Sequence, residues 1–388
     1  MIAALAVATG GCNIGRTVDK LTLKRLAPGM LANGDVGMAC TSGGALSPPV
    51  IALGRRSGGA KEPRKTAALT LIAAGMCSER EVWRVGLRRE RLLYMVKNGG
   101  SPSLGTAMQD LSIVGQRFDR EAALRNLQAY ERVVDVYGAP TGDGACPSRL
   151  RHYDQLLFLL GMTAGLLAVI HDIRAVHSAN VSLAIPPRVV EGVRCLDDEL
   201  WWALPSAIEA SVAVSIPGQG DPGVDSWAAL DAAAIRGDRA GVWLARALQV
   251  QATVAAGHSE DVWRAIEAHG AALRRGPSAA DADYGLLNAY ASEMIRYQSD
   301  VLWIAATGSR TPLGMLGSQP APAPKIEADG DADEGLLIGL DPDADPDADA
   351  DPDEHSSDAP SSGPAEDPGS ELAVPGTAPT QNSVRINH

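Results

Sequence analysis

Aromatic residues are scarce in this chain: two Phe, seven Tyr and seven Trp among 388 residues. Alternating apolar–polar stretches of useful length are missing, and β-branched runs are few, so there is no sequence case for a sheet. Several chemical signatures are absent too. The chain has no P-loop, no Gly-x-Ser-x-Gly elbow, no Cys-x-x-Cys and no His-Glu-x-x-His, which removes the linear motifs for nucleotide hydrolysis, serine acyl transfer and zinc binding. Gly218-Gln219-Gly220-Asp221-Pro222-Gly223 spells a dinucleotide fingerprint. Pro217 and Pro222 make it a loop, however, with no strand before it and no helix opening on it. His171 and His177, six residues apart, share no helix face. No residue set earns a catalytic or metal assignment, and no cofactor is expected.

Long hydrophobic runs are also lacking. The longest, Leu156–Ile170, has 15 residues, against the roughly 20 that cross a bilayer. Asp154 and Asp172 flank it, so it reads as the buried central helix of a bundle. Gly161 and Gly165 then allow close helix approach. Thr41-Ser42-Gly43-Gly44 reads as a kink before Pro48-Pro49, with an anion-binding turn as the less favoured alternative.

Ala and Leu, strong helix formers, dominate the apolar residues. The predicted helices are 13–31, 35–53, 63–76, 78–97, 103–114, 119–137, 150–177, 187–195, 197–214, 226–256, 259–273 and 280–306. Ser78 followed by Glu81 forms a capping box that starts one of them. Turn residues separate others, among them Asn33-Gly34, Asn98-Gly99-Gly100 and Gly138-Ala139-Pro140. The expectation is an all-α body of stacked helical hairpins over 13–317. The Ser226–Ala306 region has a tetratricopeptide-like flavour, but the diagnostic 34-residue period is absent, which makes such repeats degenerate at best.

The net charge of −13 is unevenly placed. Residues 318–388 hold seventeen of the 47 acidic residues and two of the 34 basic ones, giving that segment −15 and residues 1–317 a charge of +2. A nearly neutral body gives no electrostatic case for nucleic acid binding. The acidic segment carries Asp341, Asp343, Asp345, Asp347, Asp349, Asp351 and Asp353, interleaved with Pro and Ala. Repeated proline and like charge predict a disordered, solvated spacer. Weak multivalent calcium association at those seven carboxylates is the alternative, since the EF-hand pattern fails at its glycine and final positions.

Cys12 ends the uncharged apolar stretch Met1–Gly11, with Gly10 and Gly11 just before it. Small residues ahead of a cysteine after an apolar run suggest a bacterial lipoprotein signal over 1–12, with Cys12 lipidated. The run is short and carries no Lys or Arg, and Thr9 stands where such signals carry an aliphatic residue. The competing reading is the first turn of a cytosolic helix. With Cys12 lipidated, Cys40, Cys77, Cys146 and Cys195 remain, open to three pairings. Neighbouring hairpins favour Cys40–Cys77 and Cys146–Cys195, either as disulfides of an oxidising compartment or as ordinary buried thiols. Trp201 and Trp202 are adjacent. On a helix they point about 100° apart, so one ring enters the core while the other is a candidate partner or ligand surface; the alternative, which is favoured, is two core tryptophans around Pro205.

Cys12 followed at once by the helix NIGRTVDKLTLKRLAPGML, then Trp-bearing hairpins, then Ala-rich helices linked through Gly237-Asp238, resembles the TatT-type periplasmic lipoproteins associated with TRAP transporters. The resemblance implies a non-catalytic, membrane-tethered helical protein that binds a protein partner or small ligand, linked to solute transport. No binding residue carries over from it. Asn13 after the cysteine, as in Gram-negative lipoproteins, implies an outer-membrane anchor facing the periplasm. The alternatives are a cytoplasmic helical interaction module and, third, a helical enzyme whose site leaves no linear motif.

Overall fold

A computed structural model describes residues 14–56, 63–101, 103–140, 146–147 and 150–320. Cys12 and the acidic stretch Asp341–Glu354 lie outside these. Among the described residues every regular element is helical. They are α1 (Ile14–Leu21), a π-helical turn (Thr22–Leu26), α2 (Ala27–Ala32), α3 (Val36–Arg56), α4 (Arg64–Lys97), α5 (Leu104–Tyr137), α6 (His152–Arg174), α7 (Ile185–Val193), α8 (Leu204–Ser215), α9 (Ser226–Ala240), α10 (Leu244–Ala256), α11 (Ser259–Arg274) and α12 (Asp281–Thr307).

α4 and α5 are the long axis of the body, 34 residues each and so about 51 Å at 1.5 Å per residue. They run antiparallel: Arg64 meets Asp135 at one end, and Arg125 reaches Ser78 further along. α6 reverses direction again, with Tyr137 bonded to Asp154 and His171 to Asp119. α3 lies against α4, and α12 returns across the molecule to pack on α2, α3 and α4. In a linear repeat array each unit touches only its neighbours. The return of α12 to α4 closes this body on itself instead.

Small residues set the helix spacing. A Cβ on Gly161 would come within 2.5 Å of Val133, and one on Gly165 within 2.7 Å of Tyr130, so both glycines bring α6 close to α5. α6 is long and apolar enough to span a membrane by composition, yet 78% of it is buried in the body, as a core helix should be. α3 passes the same test over Val36–Leu53 with only 28% buried; Met38, Leu46 and Leu53 are exposed.

Five sequence expectations change. Ser78 does not start a helix: it is buried within continuous α4, and its hydroxyl accepts from Arg125. The break expected between 114 and 119 is also absent, because α5 runs through it. Thr41–Gly44 is not an anion-binding turn at a helix break. α3 is helical there, and Gly43 lets it touch the α4 backbone. Conversely, the single helix expected over 226–256 is two. Gly241, at φ +78° beside Ser278, ends α9 in a left-handed turn that a side chain would strain. The body also extends past Gly317, since the Ser318 carbonyl accepts the Trp303 indole N–H at 3.1 Å.

Adjacent glycines give a direct test of this packing. A Cβ on Gly43 would lie 2.6 Å from the Ala74 nitrogen and 2.7 Å from the Thr70 oxygen, backbone atoms that cannot move aside cheaply; one on Gly44 meets nothing. Gly43→Ala is expected to destabilise the body by about 1–3 kcal/mol through overpacking. Gly44→Ala should stabilise it by about 0.5–1 kcal/mol through helix propensity. Urea unfolding of the two variants reads the opposite signs.

Candidate functional site

The charged centre of the body is a set of polar side chains from four helices. Glu79 of α4, Asn126 of α5, His171 of α6 and Tyr290 of α12 are all buried, as is Asp119 of α5. The His171 imidazole lies between two carboxylates, its Nδ1 2.7 Å from Asp119 Oδ1 and its Nε2 3.5 Å from Glu79 Oε1. Glu79 also accepts the Asn126 amide at 3.3 Å and the Tyr290 hydroxyl. Trp83 roofs the group, stacked on Tyr297 at 6.0 Å and tilted against Tyr290 at 6.1 Å. By sequence alone His171 is a lone structural histidine. Its partners lie 52 and 92 positions away, and no local pattern links them.

Burial opposes charge on His171, but hydrogen bonds to Asp119 and Glu79 outweigh it and raise its pKa above the usual 6.5. Burial, then the Glu79 charge, pushes the Tyr290 phenol well above its usual range, so Tyr290 stays a donor. The two carboxylates sit on opposite sides of the imidazole, and among the described residues no group of three or more His, Cys, Asp or Glu converges to hold a metal. The set is closed to solvent. Its chemistry is that of a charge-assisted clamp, not of an open reaction site.

A second polar group lies in the α9–α12 half. Arg246 donates to Asp238 at 3.1 Å and to Gln249, and Gln249 donates to Asp231 at 2.8 Å. Nearby, His269 is fully buried, with Nε2 3.1 Å from Ser292 Oγ and the edge of Trp243 at 5.1 Å. Its Nδ1 has no partner among the described residues. Burial, then the charges of Arg246 and Arg296, lowers its pKa to about 3.

An open concavity adjoins the α3–α4 disulfide, with a volume of about 270 Å³. Arg80, Arg84 and Arg125 line it. Each is matched by a carboxylate, in Glu293, Glu81 and Glu121 respectively. The cleft therefore offers polar contacts to a small ligand without a net field for an anion.

The cysteines expected to pair are bonded, Cys40 to Cys77 and Cys146 to Cys195. Of the two readings of the tryptophan pair the structure matches the core one and not the surface one, for both rings are buried. Trp201 is wholly buried, donating to Gln155 at 2.9 Å, and Trp202 packs edge-on against it at 5.4 Å and against Tyr284 at 4.4 Å. The 100° argument fails because the pair is not helical. Trp202 and Ala203 take positive φ values of 55° and 59°, and this turn directs both rings inward. Cys12 and the seven tail aspartates lie outside the described residues. The chain matches no family model, no curated protein and no solved structure.

The two buried histidines impose opposite pH dependences. Between pH 6.5 and about 3 the unfolded chain protonates His269 and the folded one does not, so stability falls with acid in that window. Above 6.5 the folded chain keeps its proton on His171 while the unfolded chain has lost it. Stability therefore falls as pH rises through the raised folded pKa. Thermal melts across pH are expected to peak near 6.5, with His269→Gln flattening the acid limb and His171→Gln the alkaline one. A single monotonic limb that neither variant changes would contradict these assignments.

Proposed function

We propose that the chain is an envelope-exported lipoprotein attached through Cys12, whose helical body binds a protein partner or small ligand without catalysis. The observation that carries this reading is the cysteine pattern. Four of the five cysteines are joined in two disulfides, and the remaining one is Cys12, directly behind the apolar Met1–Gly11. Disulfides persist in oxidising compartments such as the periplasm. Closing loops of 37 and 49 residues contributes about 4 kcal/mol each on the chain-entropy account, a large share of the stability of any domain.

Among the described residues no cluster of His, Cys, Asp or Glu converges as a metal site would, so metal-assisted catalysis has no positive support. The cleft beside Cys40–Cys77 is the place where a small polar ligand fits. Its mixed rim of paired Arg and Glu suits a ligand carrying both donors and acceptors. A link to solute transport and placement at the outer membrane, facing the periplasm, rest on the resemblance to TatT-type lipoproteins and on Asn13.

Mass spectrometry of the native protein tests the reading. The expected result is an N-terminus at Cys12 carrying diacylglyceryl, with no free thiol on Cys40, Cys77, Cys146 or Cys195. An intact Met1 together with four free thiols contradicts it and favours a cytoplasmic interaction module.

A further inference from the structure

We propose that the α1–π segment, Ile14–Leu26, is a docking surface for an anionic lipid bilayer, holding the body down on the membrane to which Cys12 attaches it. The inference rests on the lipoprotein reading for its setting and on the segment's own geometry for its chemistry. Gly15, Thr22, Leu23 and Ala27 face inward and are buried, while Arg16, Lys20, Lys24 and Arg25 are exposed. None of these four cations pairs with an acidic side chain among the described residues. The one acid of the segment, Asp19, is turned to α4, accepting from the Thr66 backbone at 2.8 Å and its hydroxyl at 2.9 Å. Arg16, Lys20 and Lys24 recur every fourth residue, so they line one edge of the helix.

The π turn supplies the apolar part of this face. The Ala27 N–H donates to the Thr22 carbonyl, five residues back. In an uninterrupted α-helix Leu26 would stand one turn after buried Thr22 and be carried inward. The extra residue instead rotates Leu26 out, at 53% exposed, above Leu21 at 56%. Two leucines are thus held in water beside a row of cations, the pattern of a helix lying in a lipid interface. π turns of this kind are frequent at functional sites. A nucleic acid would use the charge and leave Leu21 and Leu26 without a role; a bilayer uses both.

Reach favours the same occupant. Ile14 stands two positions after Cys12, at most about 7 Å of extended chain. A lipidated Cys12 would therefore keep the start of α1 within about one Debye length, ~8 Å at physiological salt, of the headgroups, and α1 lying along the surface brings the rest of the basic edge to them. Each cation near such a surface is worth about a five-fold gain in partitioning.

The test uses the full chain with Cys12→Ser, which cannot be acylated, and vesicles of phosphatidylcholine with or without phosphatidylglycerol. Sedimentation is expected to show binding to the phosphatidylglycerol vesicles that weakens with salt. Lys20→Gln with Lys24→Gln should reduce it by about 25-fold, and Leu21→Ser with Leu26→Ser should also weaken it. All four positions are exposed, so circular dichroism should be unchanged. Met1–Gly11 is common to every protein compared, so the differences report α1 and the π turn alone. No binding at low salt, or equal binding by the Lys variant, overturns the proposal. Binding that survives loss of both leucines overturns it in favour of a general polyanion surface. None of these outcomes depends on acylation of Cys12, so the lipoprotein reading stands or falls separately.

Discussion

The Glu79 carboxyl group lies in the interior, and the packing of four helices is arranged around keeping it there. An unpaired buried charge costs several kcal/mol, and Glu79 avoids that cost only if α5 presents Asn126, α6 presents His171 and α12 presents Tyr290. Hydrophobic burial has no direction and would accept many arrangements of Ala and Leu faces. The Glu79 contacts accept very few. The return of α12 to α4, which closes the body, coincides with the Tyr290–Glu79 bond spanning 211 positions. The apolar residues thus supply the stability, and the Glu79–Asp119–His171–Tyr290 set selects the arrangement.

Close helix approach is the second condition. The Gly43, Gly161 and Gly165 contacts place α3 on α4 and α6 on α5 at distances where a methyl group would collide. The Cys40–Cys77 bond then fastens α3 where Gly43 has let it approach. The covalent link and the bare backbone act on the same contact, one in the unfolded chain and the other in the folded one. α3 nevertheless leaves Met38, Leu46 and Leu53 in solvent, so its outer face is governed by something other than the core.

Much of the helical architecture was legible because Ala, Leu and turn glycines act locally. Asn98-Gly99-Gly100 and Gly138 end α4 and α5 where their chemistry says they should. Other signals were outweighed by distant contacts. Ser78 with Glu81 is a genuine local capping pattern, but α5 supplies Arg125 to Ser78, and packing carries the helix straight through. The split after α9 needed Gly241 to meet Ser278, 37 positions on. The inward turn at Trp202-Ala203 needed positive φ values, which no propensity scale assigns to Trp. The charged centre was illegible for the same reason. Glu79, Asp119, His171 and Tyr290 form no pattern until the hairpins are stacked. The π turn after α1 was hidden too, although it turns Leu26 outward beside Leu21 on the basic edge of that segment.

The central claim is that Glu79 and Tyr290 are coupled across the fold, and a double-mutant cycle at pH 6.5 tests it most directly. Urea unfolding of Glu79→Gln, Tyr290→Phe and the double variant yields the interaction free energy. If the bond selects the arrangement of α4 and α12, the two substitutions are expected to couple by about 1–3 kcal/mol. Additive effects within about 0.3–0.5 kcal/mol would contradict that claim: the bond would then be incidental to packing settled elsewhere, and Glu79 would have no part in choosing where α12 lies.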